Sequence, residues 1–196
     1  MFDPKQIKYF KDQDFLLTKH RIMKQMASLF QTVRDELSSQ LAISTQFLPK
    51  ETDISSGKIS KGENYKGLPY MVLDYPRYFS KENIFLMRTM FWWGNEFSAM
   101  LILKGQPHEE LKTALRSFLS QEIAQDFYLC VGDSPWEYDF GTDNYCKVSA
   151  IDEDELNAIL AKSFLKLAQK APLDSYKTLP SFIVRFWISI FDNLPV

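Results

Sequence analysis

Apolar residues recur at three- and four-residue steps between about residues 14 and 42. Leu16, Met23, Met26, Phe30, Val33, Leu37 and Leu41 share one helical face, while Lys19, Lys24, Gln31, Arg34, Asp35 and Ser38 take the other. Asp14 precedes the run as an N-cap residue. So long a helix spans a domain and packs on a sheet, or pairs with a second copy. The period is lost over residues 43–67, where Pro49, Gly57, Gly62 and Gly67 punctuate a polar connection with a short strand near 58–61.

Strand patterns follow at 68–74, closed by Tyr75-Pro76, then at 83–93 and 96–104. The last two flank Gly94-Asn95, a pair suited to positive φ and a tight hairpin. In 96–104 both alternating sets are partly apolar, which predicts a central strand covered on both faces. Pro107, Glu109 and Glu110 open a helix whose buried stripe is Leu111, Ala114, Leu115, Phe118 and Leu119. Two more strands, 127–132 and 145–149, flank the loop 133–144. Asp152 begins a helix read through about Lys170, with Leu156, Ile159, Leu160, Phe164 and Leu167 inward, and Pro172 stops it. A last helix, about 179–193, is apolar nearly all round and must be buried.

Strands that cluster at hairpin spacing predict an α+β fold. The expectation is a single domain, 1–196, with an antiparallel sheet of about five strands packed against long helices at the N- and C-terminal ends. A hydrophobic fraction of 45% with 15% aromatics is ample for one core.

Charge adds a partition. The net value of −2 argues against general nucleic-acid binding, which needs excess Lys and Arg. Residues 121–155 carry ten acids against Lys147, while the flanking segments are mildly basic. This stretch reads as a solvated face, or as a docking surface for a basic partner or cation. The start lacks the pattern of a secretory signal, and no apolar run reaches about 18 residues. The expectation is a cytoplasmic protein without a membrane span. Cys130 and Cys146 form no disulfide framework. A hairpin centred near Tyr138 sets them opposite each other, as two reduced thiols or as a disulfide or soft-metal pair.

No phosphate loop, dinucleotide fingerprint, nucleophile elbow or zinc-protease helix occurs. His20 and His108 are isolated, so no metal ligand set and no cofactor is expected. The densest chemistry is the glycine-spaced run from Lys58 to Tyr70 with Asp74 and Arg77, because Lys and Tyr supply donors where glycines admit a ligand. Arg88 interrupts the apolar strand of Phe85, Leu86, Met87, Met90 and Phe91, and needs Asp74 or an external anion. Of Trp92 and Trp93, one faces the core and the other the opposite side. Lys61, Tyr65, Tyr70, Asp74, Arg77, Arg88 and Trp92 are therefore the candidate ligand-binding residues.

The run Lys61-Gly62-Glu63-Asn64-Tyr65-Lys66-Gly67-Leu68-Pro69-Tyr70, then Leu73 to Arg77 and Arg88 to Gly94, resembles a family of uncharacterised bacterial proteins over residues 57–105. The resemblance implies a bacterial cytosolic protein of this size and carries over no catalytic residues. The functional expectation is a non-catalytic binding or interaction protein, with a homodimer among its partners. The alternative is a small-molecule binder or enzyme with an anion pocket around Lys61, Tyr65, Asp74, Arg77 and Arg88.

Overall fold

The chain begins with two consecutive helices. Asp3 accepts from the Gln6 N–H at 2.8 Å while Gln6 accepts from the Asp3 N–H at 3.0 Å, a capping box that opens α1 (Pro4–Lys11). Asp12 then accepts from the Phe15 N–H at 2.9 Å and starts α2 (Gln13–Ser44). The cap is therefore Asp12 and not Asp14, which lies inside the first turn. The computed structural model describes residues 1–195, and the side chains of 42–44 lie outside that description.

The strands are β1 (Lys58–Tyr65), β2 (Leu68–Phe79), β3 (Ile84–Trp92), β4 (Glu96–Lys104), β5 (Tyr128–Cys130), β6 (Tyr145–Lys147) and β7 (Phe164–Pro172). They form one seven-stranded sheet of order β1-β2-β3-β4-β7-β5-β6, with every neighbouring pair antiparallel. Helices α3 (Gln106–Leu119), α4 (Glu153–Leu160) and α5 (Leu179–Phe191) complete the fold. The α+β class matches the expectation, but the sheet holds seven strands where five were expected.

Two elements account for the difference. β1 is a full strand rather than a short one inside a loop. β7 replaces the second half of the helix expected through Lys170, since α4 ends at Leu160. Phe164, Leu165, Leu167 and Ala168 are all buried, and such a run satisfies a helical stripe and a doubly covered strand equally well. What decides is the place of β7 between β4 and β5, where both of its faces are covered.

Alternation divides the sheet into two faces. One carries Met71, Leu73, Tyr75, Phe85, Met87, Phe91, Phe97, Ala99, Leu101, Leu103, Leu165 and Leu167, all packed into one apolar cluster with the helices. Phe30, Val33 and Leu37 of α2 and Ile183, Phe186, Trp187 and Ile190 of α5 are essentially inaccessible there. Trp187 stacks on Phe191 with centroids 4.0 Å apart, and Phe85 meets both rings.

The opposite face carries Val72, Leu86, Met90, Trp92, Met100, Ile102, Cys130, Tyr145, Phe164 and Ala168. No helix covers it. The acidic connection from β5 to β6, residues 131–144, lies across it as a strap. The register of β5 on β6 pairs Cys130 with Tyr145 and Leu129 with Cys146. The two cysteines are therefore not opposite each other, as a hairpin centred on Tyr138 required. A one-residue offset puts them on opposite faces, and both are free thiols.

Among the described residues no helix is long and apolar enough to cross a membrane.

Candidate functional site

The β1–β2 hairpin turns at Lys66 and Gly67, whose φ values of 48° and 81° suit a tight two-residue loop. Up to that turn, β1 presents Lys58, Ser60 and Gly62 to the strap side, opposite Asp74, Val72 and Tyr70. Gly62 is required at its position. A Cβ there would lie 2.4 Å from the Tyr70 ring, which lies over the glycine. The ladder then slips by one residue between Gly62 and Tyr65. That slip moves Tyr65 onto the face of Gly62 instead of the opposite one.

A second slip lies in β2 between Asp74 and Arg77, around Tyr75-Pro76. Proline donates no ladder hydrogen bond and belongs at such irregularities. Before the slip Asp74 pairs with Arg88; after it Arg77 pairs with Leu86 and Phe79 with Ile84. Arg77 and Phe79 are thereby brought to the strap side as well. The two bulges gather residues that strict alternation would have divided between the faces.

Asp74 and Arg88 form a bidentate pair, with Arg88 Nε and Nη2 donating at 2.7 and 2.8 Å. Both side chains are 12% exposed. Burial opposes the Arg88 charge, but Asp74 outweighs it and holds the guanidinium above its ordinary pKa. Nη1 donates to the Tyr138 hydroxyl, and the guanidinium carbon lies 5.5 Å from the Tyr138 ring and 5.6 Å from Trp136. Tyr138 and Trp136 belong to the strap, so this pair also holds the strap down.

Other ties run along the strap. The Tyr65 oxygen accepts from the Tyr138 N–H at 2.6 Å and the Asp139 N–H at 3.1 Å. Its own proton faces Glu137 and Asp139, each 3.0 Å away. Burial raises the Tyr65 pKa, so the phenol stays neutral. Lys66 reaches Asp139 at 2.7 Å, and Lys162 donates to the carbonyls of Val131 and Gly132 at 2.5 and 2.9 Å. Lys166 of β7 is fully buried and donates to the Glu137 carbonyl. Its ammonium lies 5.0 Å from the Tyr138 ring and 4.7 Å from Tyr145, and burial pushes its pKa down to about 8.

Between the strap and the β1–β2 hairpin lies a cleft of about 220 Å³. Val72, Leu86 and Phe79 form its apolar lining, and Lys58, Ser60, Tyr70, Arg77, Arg88 and Tyr138 supply donors. Asp74 is the single carboxylate among the lining residues and is already saturated by Arg88. Arg77 is less well satisfied. Its Nη2 sits 3.7 Å from Asp53, whose carboxylate accepts from Ser55 and Ser56, and its buried Nε has no hydrogen-bond partner.

Of the seven candidate residues, Tyr70, Asp74, Arg77 and Arg88 line this cleft. Tyr65 and Trp92 stand behind it, 5.1 Å apart, in the ring cluster under the strap. Lys61 is not part of it. It pairs with Met71 and turns to the helix side, beside His20, Met23 and Lys24. Lys58 and Ser60 lay in the polar run singled out from the sequence but not among the seven named residues, and sequence reasoning missed Phe79 and Tyr138 in the cleft and Lys166 beneath the strap. Two signals were present. Trp136, Tyr138 and Phe140 alternate with Glu137 and Asp139, a strand-like pattern of rings on one side. Lys166 is a lone charge within an apolar run.

Among the described residues no group of three or more His, Cys, Asp or Glu side chains could hold a metal ion. No family model, curated protein or solved structure matches this chain.

Proposed function

We propose that this protein is a non-catalytic binding protein whose cleft holds a small anion, a phosphate- or carboxylate-bearing molecule. The observation that supports this reading is Arg77, a guanidinium with a buried and unpartnered Nε on a wall shared with Lys58 and Arg88. Three cations face one carboxylate there, so the cleft carries a surplus of positive charge. A planar donor fork suits carboxylate or phosphate oxygens, and the Ser60 and Tyr70 hydroxyls add neutral donors. The volume is below the roughly 300 Å³ of a drug-sized site, which favours an anionic headgroup over a large ligand.

Thermal unfolding in rising inorganic phosphate, and separately in succinate, tests the reading. A ligand of the native state raises the midpoint with its concentration. Phosphate also stabilises proteins through exclusion from their surface, so the comparison with Arg77→Gln decides. A rise in the wild type that is lost in Arg77→Gln supports the cleft. An equal rise in both proteins removes it.

A further inference from the structure

We propose that the protein pairs with a second copy of itself through its N-terminal arm, α1 and the first turns of α2, the two arms crossing antiparallel near Leu16. This interface is independent of the anion cleft, which lies on the other side of the sheet.

The argument starts with a pattern that outruns the body it should bury against. In α2 the buried positions Met23, Phe30 and Leu37 follow at seven-residue steps. One step earlier stands Leu16, 56% exposed. A second row, Leu29 and Ile22, is half-buried, and its earlier member Phe15 is exposed. Helical rows of this kind are written for burial. Here they continue beyond the buried part of the helix, and among the described residues nothing buries Phe15 or Leu16.

α1 extends the exposed surface. None of its residues is buried, and Phe2, Ile7, Tyr9, Phe10, Phe15, Leu16 and Leu17 all stand in solvent. At the area of about 150–200 Å² that a large side chain can bury, these seven exposures leave roughly 650 Å² of apolar surface per chain. That exceeds the few hundred Å² monomers usually expose, and approaches the roughly 800 Å² each partner contributes to a stable interface.

The rest of the area is at hand. The second row of α2 leads into an apolar groove of about 540 Å³ lined by Ile22, Met26, Leu29, Phe91, Phe97 and Leu173. Counted outward from Leu16 along α2, Phe15 of one copy comes opposite Leu17 of the other, and the groove opens on the same helix six residues beyond Leu16, at Ile22. The arrangement is self-complementary, as a two-fold contact requires. A lipid surface would instead favour a uniformly basic polar face, and Asp3, Asp12 and Asp14 interrupt the lysines of this one.

The test is the mass of the full chain by sedimentation equilibrium, beside Leu16→Asp. The expected result is a dimer in the wild type and at least about a 30-fold weaker association in the variant, as for an interface anchor. The variant's unfolding midpoint, measured at dilution, should match the wild type, because Leu16 is exposed in the single chain. Leu16→Cys in a Cys146→Ser background should cross-link to its own copy under mild oxidation. A wild-type monomer at every concentration overturns the proposal. So does a dimer that Leu16→Asp leaves intact, or one that Leu16→Cys fails to cross-link. A monomer that sediments with phosphatidylcholine–phosphatidylglycerol vesicles would assign the arm to a membrane instead, and overturn it too.

Discussion

On the helix-covered face of the sheet, closure comes from area. Phe85, Leu101 and Leu167 share one apolar cluster with Trp187, Phe186 and Phe30, drawn from four helices and five strands, with Thr89 a buried polar residue on the same face. On the strap-covered face of the same strands, closure comes from placed contacts: Arg88 on Tyr138, Tyr65 on two backbone amides, Lys166 on one carbonyl. Apolar burial is non-directional and tolerates volume-conserving repacking. Hydrogen bonds in a poorly solvated layer are direction-sensitive, and each loses its value when one partner is removed. The difference teaches where stability and recognition can separate. A fold can anchor itself on one side of a sheet and keep charged, ligand-shaped chemistry on the other.

The largest effect that would break this contrast concerns the helix side. Phe85→Ala removes a fully buried ring from a central strand, and its expected cost is about 4 kcal/mol by chemical denaturation. A cost near that of a surface substitution would mean the helices are not the main support.

On the strap side, Asp74→Ala leaves Arg88 buried and unpaired, at an expected cost of about 3 kcal/mol. The double variant Asp74→Ala/Arg88→Met should recover much of it, because the cost lies in the orphaned charge. Additive losses would show that each side chain stabilises the strap separately.

Lys166 sharpens the comparison through pH. The folded protein releases its proton near pH 8, while the unfolded chain retains it to about 10.5. The unfolded state binds more protons in that window, so stability rises with pH between the two values, by on the order of 3 kcal/mol at most. The difference in unfolding free energy between wild type and Lys166→Met should follow this rise. A difference that stays flat across the window would rule out the lowered pKa and show that Lys166 keeps its proton in the folded protein throughout it.

The smallest expected effect is Tyr65→Phe, about 1 kcal/mol, from the loss of one acceptor for two amides. Hydrogen exchange is the sharper measurement here. The amides of Tyr138 and Asp139 should lose protection while those of β3 and β4 keep theirs. Protection that falls equally everywhere would show that strap and sheet open together.

Much of the architecture was legible because it is local and periodic. α2, the β3–β4 hairpin at Gly94 and the all-apolar α5 follow from spacing alone. The cross-strand meeting of Asp74 and Arg88 was also within reach, since a lone Arg in an apolar strand needs a carboxylate nearby. β7 was not, because residues 164–168 fit either period and only its place in the sheet decides. Lys61 turns away from the cleft by plain alternation opposite Met71, but the placement of Tyr65 and Arg77 on the strap side depended on two ladder slips. Their cause lies in pairing between distant residues, which a linear pattern does not record. The strap was hidden for a different reason: its acids suggested solvent, while its rings provide the contact.

The two ladder slips also constrain how this hairpin can change length. Parity along a strand works as an address, and each slip reassigns every later residue to the other side. Between Asp74 and Arg77 two residues stand opposite the single Met87. Deleting one of them, Tyr75 or Pro76, would set Arg77 two places after Asp74, where plain alternation alone keeps Arg77 and Phe79 on the strap side. Deleting both would set Arg77 next to Asp74 and direct it, with Phe79, into the helix layer. At this point of the hairpin a single deletion should therefore be tolerated and a double one rejected, the reverse of the rule for a regular strand.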